Sequence, residues 1–334
     1  MTLSYDPPKV ASSGITTLNF SSFKQTSQQG ADQQIRLPNM DCLIKAQVSL
    51  AAFTSFRVGG PAAWYAAPRQ VEELQACYEW ARSQGVPLTI LGAGSNLLIS
   101  DRGLPGLVIG TRHLRKSHFD PKTGLVTVGA GEPIPRLAWQ AAARGWRGLE
   151  WAVGIPGTIG GAVVMNAGAH ASCTADYVVN VQVLLPDGSI KLLTPQELEY
   201  RYRTSLLQGK NWTVIQATLQ LQPGFDPEQV TADTQQHLNQ RRASQPYHLP
   251  SCGSVFRNPK EYNAGWLIEQ TGLKGHRIGG AEIAHRHANF ILNCDSATAT
   301  DIFQLIRHVQ QTVEHHWSLW LEPEVKILGE FQTV

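Results

Sequence analysis

The sequence predicts a mixed α+β protein whose strands and helices do not alternate regularly. Three observations lead there. Short apolar or alternating runs that suit strands are interspersed, in irregular order, with longer segments of helical spacing. The first glycine-rich loop, Gly92-Ala93-Gly94-Ser95-Asn96, follows an apolar run but leads into another, Leu97-Leu98-Ile99, where a doubly wound dinucleotide fold would need a helix. Apolar residues are 42% of the 334 and charged residues 16%, which is enough to bury a core over most of the chain.

The elements follow in order. Gln70 to Gln84 carries Val71, Leu74, Cys77, Tyr78 and Ala81 at helical spacing, with Gly85 to end the helix. Val86 to Leu91 reads as a buried strand and Leu107 to Ile109 as another. Leu125 to Val128 is a strand ending in Gly129-Ala130-Gly131. Pro133 to Arg144 is a helix, with Pro133 in its first turn and Gly145 at its end. Gly154 to Gly161, continuing through Met165 to Ala169, is read as a third glycine-rich loop. Val178 to Leu185 and Ile190 to Leu193 flank Pro186-Asp187-Gly188, a hairpin signal, and Trp212 to Leu221 alternates as a strand. Gln229 to Ser244 is a polar helix leading into a last region. That region holds a helix over Ala264 to Thr271, a strand over Asn289 to Asn293, a helix over Ala299 to Trp317 and a strand over Pro323 to Leu328.

Composition excludes several classes of function. Lys plus Arg is 28 and Asp plus Glu is 26, a net charge of +2, which leaves no electrostatic footprint for nucleic acid. No apolar run approaches the roughly 20 residues that cross a bilayer. The five cysteines, Cys42, Cys77, Cys173, Cys252 and Cys294, are odd in number, widely spaced and without a CxxC pair, as expected for free thiols in the cytoplasm. The histidine pairs, His285 with His287 and His315 with His316, lack the spacing of a catalytic zinc helix, so no metal is expected. Residues 1–40 are rich in Ser, Thr and Gln over Ser12 to Asp32. They lack the parts of a secretory signal and are read as a flexible extension.

Three glycine-rich loops lie between residues 92 and 168, and none contains Lys or Arg. Glycine lets backbone N–H groups approach an anion closely and adopt positive φ. Ser95, Asn96, Thr158 and Asn166 add neutral donors. The combination suits the pyrophosphate of a nucleotide or dinucleotide held without cations.

Seven stretches then occur in one order over roughly residues 42–330: TSFRVGGPA (Thr54 to Ala62), LGAGSNLLISD (Leu91 to Asp101), GIPGTIGGAVVMNAGA (Gly154 to Ala169), YRTS (Tyr202 to Ser205), PSCGSVFRNP (Pro250 to Pro259), GLKGHRIGGAEI with HANFI (Gly272 to Ile291), and LEPEVKILG (Leu321 to Gly329). In this order they resemble the UDP-N-acetylenolpyruvoylglucosamine reductase family. The short span from Tyr202 to Pro250 resembles the family's shorter, second subtype. The resemblance implies an α+β architecture: an FAD-binding fold of the vanillyl-alcohol-oxidase (PCMH) type in two subdomains, residues 41–110 and 111–225, and a C-terminal α+β substrate domain, residues 226–334, whose final strand returns toward the flavin. It implies NADPH-dependent reduction of an enolpyruvyl UDP-sugar through FAD in peptidoglycan precursor synthesis, by a cytoplasmic monomer. The competing readings are another FAD-dependent sugar or alcohol oxidase of the same superfamily, and a nucleotide-binding module without catalysis.

The resemblance also implies the site. Ser254 is the proton donor, although position alone would read it as a turn residue after Gly253. Arg203 stabilises the developing negative charge. If YRTS were a strand, Arg201 and Arg203 would share a face, so the motif, not the periodicity, selects Arg203. Glu324, and not Glu322, is the second acid. Gly92, Ala93, Gly94, Ser95, Asn96, Gly154, Pro156, Gly157, Gly160, Gly161, Asn166 and Gly168 are implied for FAD, and Arg203, Asn258 and Lys326 for substrate. Two positions depart from the family pattern: Lys326 where arginine is common, and Ser244 where the pattern RxxKxP has lysine, with Arg241 or Arg242 as the available substitutes. Arg257, where lysine is frequent, is read as a tolerated exchange, and Cys252 as packing.

Overall fold

The computed structural model describes residues 33–332, Asn39 excepted. Of the extension expected over residues 1–40, the part before residue 33 lies outside the described residues. The part after it contains a strand. β1 (Gln34–Arg36) pairs antiparallel with β2 (Leu43–Ser49), Gln34 opposite Lys45. The polar Gln34 and Arg36 conceal a segment whose Ile35 and Leu37 turn into a core. β3 (Pro61–Ala66), α1 (Val71–Ser83), β4 (Leu88–Leu91), β5 (Leu97–Ile99) and β6 (Leu104–Gly110) follow. Five of these strands form a sheet in the order β1-β2-β3-β6-β4, with β6 parallel to both its neighbours. The stripe Leu74, Cys77, Tyr78 and Ala81 of α1 is buried in one cluster with Ile44, Leu107 and Ile109, and burial of the Leu74 side chain alone stabilises by about 2 kcal/mol.

The next elements are β7 (Ser117–Asp120), β8 (Leu125–Gly129), α2 (Ile134–Ala142), α3 (Ile159–Met165), β9 (Gly168–Ala169), β10 (Ser172–Cys173), β11 (Val178–Leu184), β12 (Ile190–Leu193), β13 (Thr213–Gln220) and α4 (Pro227–Ser244). A second, antiparallel sheet runs β12-β11-β13-β8-β7. The expected hairpin pairs Leu184 with Ile190 across Pro186-Asp187-Gly188. The inner face of this sheet meets α2, Trp146 and Trp151 in the largest buried cluster.

Two readings of the glycine segments change. The second cluster is structural. The N–H groups of Gly129 and Gly131 donate to the Lys116 and Leu114 carbonyls at 2.7 and 2.9 Å, so neither is available to an anion. The third is not one loop, because Ile159–Met165 is a helix. Thr158 caps it by accepting from the Gly161 N–H, and Asn166 ends it in the left-handed region at φ +44°. Gly160 and Gly161 disguised this helix, since glycine opposes helix formation.

The remaining elements are α5 (Ala264–Gln270), β14 (Arg277–Ile278), β15 (Ala281–Ile283), β16 (Ile291–Asn293), α6 (Ala299–Trp317) and β17 (Lys326–Leu328). α6 starts on a reciprocal cap between Thr298 and Asp301. Its first N–H groups also donate to the Asp101 carboxylate, at 2.8 Å from Ala299 and 2.8 Å from Thr300. It buries Ile302, Leu305, Ile306, Val309 and Val313 in a cluster with Leu267 and Ile291 of the antiparallel sheet β14-β15-β16 and its cover. β17 is shorter than the run from Pro323 that the sequence predicts. It pairs parallel with β5, Lys326 opposite Leu97 and Leu328 opposite Ile99. The chain's last strand thereby lies directly beside the first glycine loop.

Candidate active site

Residues 92–96 join β4 to β5. None of the five N–H groups from Gly92 to Asn96 donates to a protein acceptor among the described residues. Gly94 holds φ +65°, and a Cβ there would be driven into the Phe53 carbonyl. Opposite lies the stretch from Gly154 to Thr158. A Cβ on Gly92 would stand 2.8 Å from Thr158 Oγ1, and one on Gly157 3.2 Å from Ser95 Oγ. The Ser95 hydroxyl donates to the Pro156 carbonyl at 2.9 Å, tying the two walls together. Ser55, whose N–H donates to the Gly94 carbonyl, has a buried hydroxyl without a partner among the described residues. Five free amides in succession, glycines at the points of closest approach and an orphaned hydroxyl fit the pyrophosphate of a dinucleotide.

The structure spends most of the predicted side-chain donors inside the protein. Asn96 donates to the Glu324 carbonyl at 3.1 Å, and its own carbonyl accepts from the Lys326 N–H at 3.0 Å. Asn166 donates to the Arg201 carbonyl at 3.0 Å and accepts from the Ala175 N–H at 3.0 Å. The N–H of Gly160 donates to the Ala130 carbonyl at 2.8 Å, which seats α3 against the end of β8. Gly154 and Gly168 offer carbonyls: the first accepts from the Tyr247 hydroxyl at 2.9 Å, the second from Arg203 at 2.8 Å. The donors left free among the predicted residues are therefore backbone amides, those of residues 92–96 together with Gly154 and Gly157 on the opposite wall.

Arg203 is not on a strand. Arg201 and Thr204 exchange hydrogen bonds at 3.0 and 3.1 Å, so Tyr202 and Arg203 form a tight turn, and the alternation argument for Arg201 does not apply. Arg203 sits at φ +53°, the left-handed region that costs a residue with a Cβ about 1–2 kcal/mol. Its Nε donates to Glu324 Oε1 at 3.0 Å, and a terminal nitrogen to the Gly168 carbonyl. The two side chains of this ion pair are 21% and 16% exposed. Burial pushes the Glu324 carboxyl upward from its ordinary range, and the guanidinium of Arg203 opposes that shift, as do Arg257 and Lys326. Burial, then Arg257, pushes the Lys326 ammonium downward.

Ser254 belongs to the loop facing this pair. The Glu324 N–H donates to the carbonyl of the adjacent Val255 at 2.7 Å, and Phe256 bridges Pro323. Ser254 is half-buried, and its hydroxyl makes no hydrogen bond within the described residues. Gly253 before it turns at φ +82°. The structure thus brings Arg203, Glu324, Lys326 and the Ser254 loop together. Asn258 spends its oxygen on the Ala264 N–H at 3.0 Å, at the start of α5, and keeps its NH2. Cys252 is buried, and burial followed by the nearby Glu324 carboxylate pushes its thiol up, which suits packing and not a thiolate.

Sequence reasoning missed Asn289. Its backbone carbonyl accepts from the Val255 N–H at 2.8 Å, and its side chain exchanges hydrogen bonds with both backbone groups of Phe256, at 2.9 and 2.8 Å. It is 3% exposed and fixes the Ser254 loop. The signal was present in HANF, where His287 drew the attention; the His287 ring accepts from the Asn289 N–H at 3.2 Å.

Comparison with known proteins agrees with this geometry. A family profile described as an FAD binding domain matches residues 62–194, the part that contains the amide cradle. A second, described as UDP-N-acetylenolpyruvoylglucosamine reductase, C-terminal domain, matches residues 245–328, which contain Ser254 and Glu324. The UDP-N-acetylenolpyruvoylglucosamine reductase of Nostoc sp. is 65% identical over 298 residues, covering 89% of this chain and 90% of the relative. That of Synechocystis sp. is 58% identical over 299 residues, covering 89% and 94%. The crystal structure of the corresponding reductase from Thermus caldophilus superposes with a TM-score of 0.72 at 36% identity, covering 85% of this chain and 98% of that one. An FAD-binding domain carrying a half-buried cation–carboxylate pair at its edge is the frame of a flavoenzyme, as the sequence led us to expect. The chain belongs to the UDP-N-acetylenolpyruvoylglucosamine reductase family.

Proposed function

We propose that the chain reduces the enolpyruvyl ether of UDP-N-acetylenolpyruvoylglucosamine to UDP-N-acetylmuramate, with NADPH as reductant and FAD as carrier, in peptidoglycan precursor synthesis. The observation that carries this reading is the Arg203–Glu324 pair, placed against the Ser254 loop and joined through Asn96 to the free amides of residues 92–96. The amides of Gly92, Ala93, Gly94, Ser95 and Asn96 hold the FAD pyrophosphate, with Gly154, Pro156 and Gly157 as the opposite wall. Gly160, Gly161, Asn166 and Gly168 support that wall from behind. Bound there, FAD would supply the hydride transfer from NADPH to C3 of the enolpyruvyl group. Residues 41–110 and 111–225 serve as the two FAD-binding subdomains, and residues 226–334 as the substrate domain.

The chain's own residues manage the charge that results. Hydride arrival at C3 leaves negative charge at C2 and the adjoining carboxylate. Arg203 is preoriented by Glu324 and the Gly168 carbonyl, so its guanidinium meets that charge without reorganising. Ser254 donates the proton that closes the reaction at C2, and its uncommitted hydroxyl supports this role. Lys326 and the NH2 of Asn258 are available for the anionic and polar parts of the substrate. No helix among the described residues is long and apolar enough to cross a membrane, and all five thiols are free, which supports a cytoplasmic enzyme. The test is NADPH oxidation by the FAD-loaded protein. It is expected to depend strictly on added UDP-N-acetylenolpyruvoylglucosamine, and oxidation that this compound leaves unchanged would overturn the proposal.

A further inference from the structure

Arg257 stands where lysine is frequent and reads from the sequence as a tolerated exchange, but its contacts are those of a guanidinium. It follows Phe256 in the Ser254 loop, and its N–H donates to the Glu322 carbonyl at 2.9 Å. One terminal nitrogen pairs with the Glu322 carboxylate at 3.2 Å, and the other donates to the carbonyl of Arg203 at 3.2 Å. The side chain is 18% exposed. The carbonyl it grips belongs to the residue held in the left-handed region. A strained turn keeps its geometry only where its surroundings over-determine it. Arg203 meets that condition from three sides: the Arg201–Thr204 bonds across the turn, the Glu324 and Gly168 bonds to its side chain, and the bonds to its carbonyl from the Gln208 side chain at 2.8 Å and from Arg257.

We propose that Arg257 is a positioning residue for the reaction: braced on Glu322, it fixes the Tyr202–Arg203 turn so that the Arg203 guanidinium stays aligned with Glu324 and the reacting carbons. The inference rests on the role proposed for Arg203. A lysine carries the charge but has one compact donor group, and cannot span Glu322 and the Arg203 carbonyl as a planar fork does. The charged and titratable groups around Glu324 are Arg203 from the turn, Arg257 from the Ser254 loop, Lys326 on its own segment and Cys252. Arg257 therefore acts twice, by hydrogen bonding and by charge, and the two are separable.

The test uses FAD-loaded full-length Arg257→Lys, Arg257→Met and Glu322→Gln proteins, with the two half-reactions followed separately by stopped flow. Reoxidation of the reduced flavin by UDP-N-acetylenolpyruvoylglucosamine is expected to slow about tenfold in both Arg257 variants, from misalignment of the charge-stabilising group. Flavin content and the rate of reduction by NADPH are expected to stay within about twofold in both. The acid limb of the reoxidation rate, where Glu324 takes up its proton, is expected to move to higher pH in Arg257→Met and to stay in place in Arg257→Lys, which keeps the charge. Glu322→Gln loosens the brace at an exposed carboxylate, keeps the fold, and is expected to slow reoxidation about threefold. Wild-type reoxidation in Arg257→Lys or in Glu322→Gln would overturn the inference, as would equal losses in both half-reactions. Arg203→Met serves as the reference. If it reoxidises normally, the role of Arg203 itself fails. If it is slow while the Arg257 variants are normal, only the positioning role fails.

Discussion

Replacing Arg203 with methionine keeps much of the side chain's volume but strips the charge from a half-buried pair, and the resulting cost depends on pH in a defined direction. Removing one partner of a fully buried ion pair costs roughly 3–5 kcal/mol. At 21% and 16% exposure this pair belongs at the lower end, about 3 kcal/mol when Glu324 is ionised. At about 2 °C per kcal/mol for a chain of this length, that is a fall of roughly 6 °C in melting temperature. The sign of the pH dependence follows from Glu324, whose carboxyl is raised by burial and restrained by Arg203. A raised acid contributes stability that is fully present below its unfolded pKa and is lost as pH rises through the folded one. Without Arg203 the folded value climbs further, so the variant keeps its proton over a wider range. The penalty is therefore smallest at acid pH and grows toward neutrality. The assay is thermal unfolding of both proteins at fixed FAD concentration, from about pH 5 to about pH 9, spanning the range in which a raised glutamate titrates. A penalty that is constant, or that shrinks as pH rises, would refute the reasoning. Turnover of the variant is expected to fall about 100- to 1,000-fold, the usual cost of losing one charge-stabilising donor.

Three further substitutions probe the framework. Gly94→Ala forces a side chain onto the Phe53 carbonyl at positive φ, so the purified protein is expected to contain far less FAD while its far-ultraviolet circular dichroism is retained; full flavin content would contradict the amide cradle. Asn289→Ala strands both backbone groups of Phe256 in a buried site, and is expected to cost about 2–4 kcal/mol in denaturant unfolding and to slow turnover. Cys252→Ala removes a thiol that burial keeps protonated, so steady-state activity is expected within about twofold of wild type; loss of activity with flavin retained would show that the thiol takes part in the chemistry.

Legibility of the fold varied with how local its causes are. α6, expected over Ala299 to Trp317, has both of its causes close by in sequence, a long apolar stripe and the Thr298 cap. The β11–β12 hairpin was marked by Pro186-Asp187-Gly188. α3 was hidden by two glycines, of which Gly160 is needed for its close contact with Ala130, a long-range matter. β1 is an edge strand with polar residues facing solvent, and its neighbour only becomes evident once Lys45 is across from Gln34. In the site, the motif identified Arg203 and Glu324, but their pairing spans 121 residues and no periodicity reports it. Side-chain donors near the glycines were overvalued for a related reason: Ser95, Asn96 and Asn166 are all claimed by distant backbone groups. Backbone amides, which carry no residue-type signature, are what the loop leaves free.

The central claim is that one constellation governs the second half of the reaction, with Ser254 giving the proton at C2 and Arg203 holding the charge. Single-turnover kinetics of Ser254→Ala test it most directly. The account predicts that NADPH reduces the bound flavin at nearly the wild-type rate, while UDP-N-acetylenolpyruvoylglucosamine reoxidises it at least about 100-fold more slowly, the scale of a lost general acid. Equal slowing of both half-reactions, or reoxidation at the wild-type rate, would contradict it.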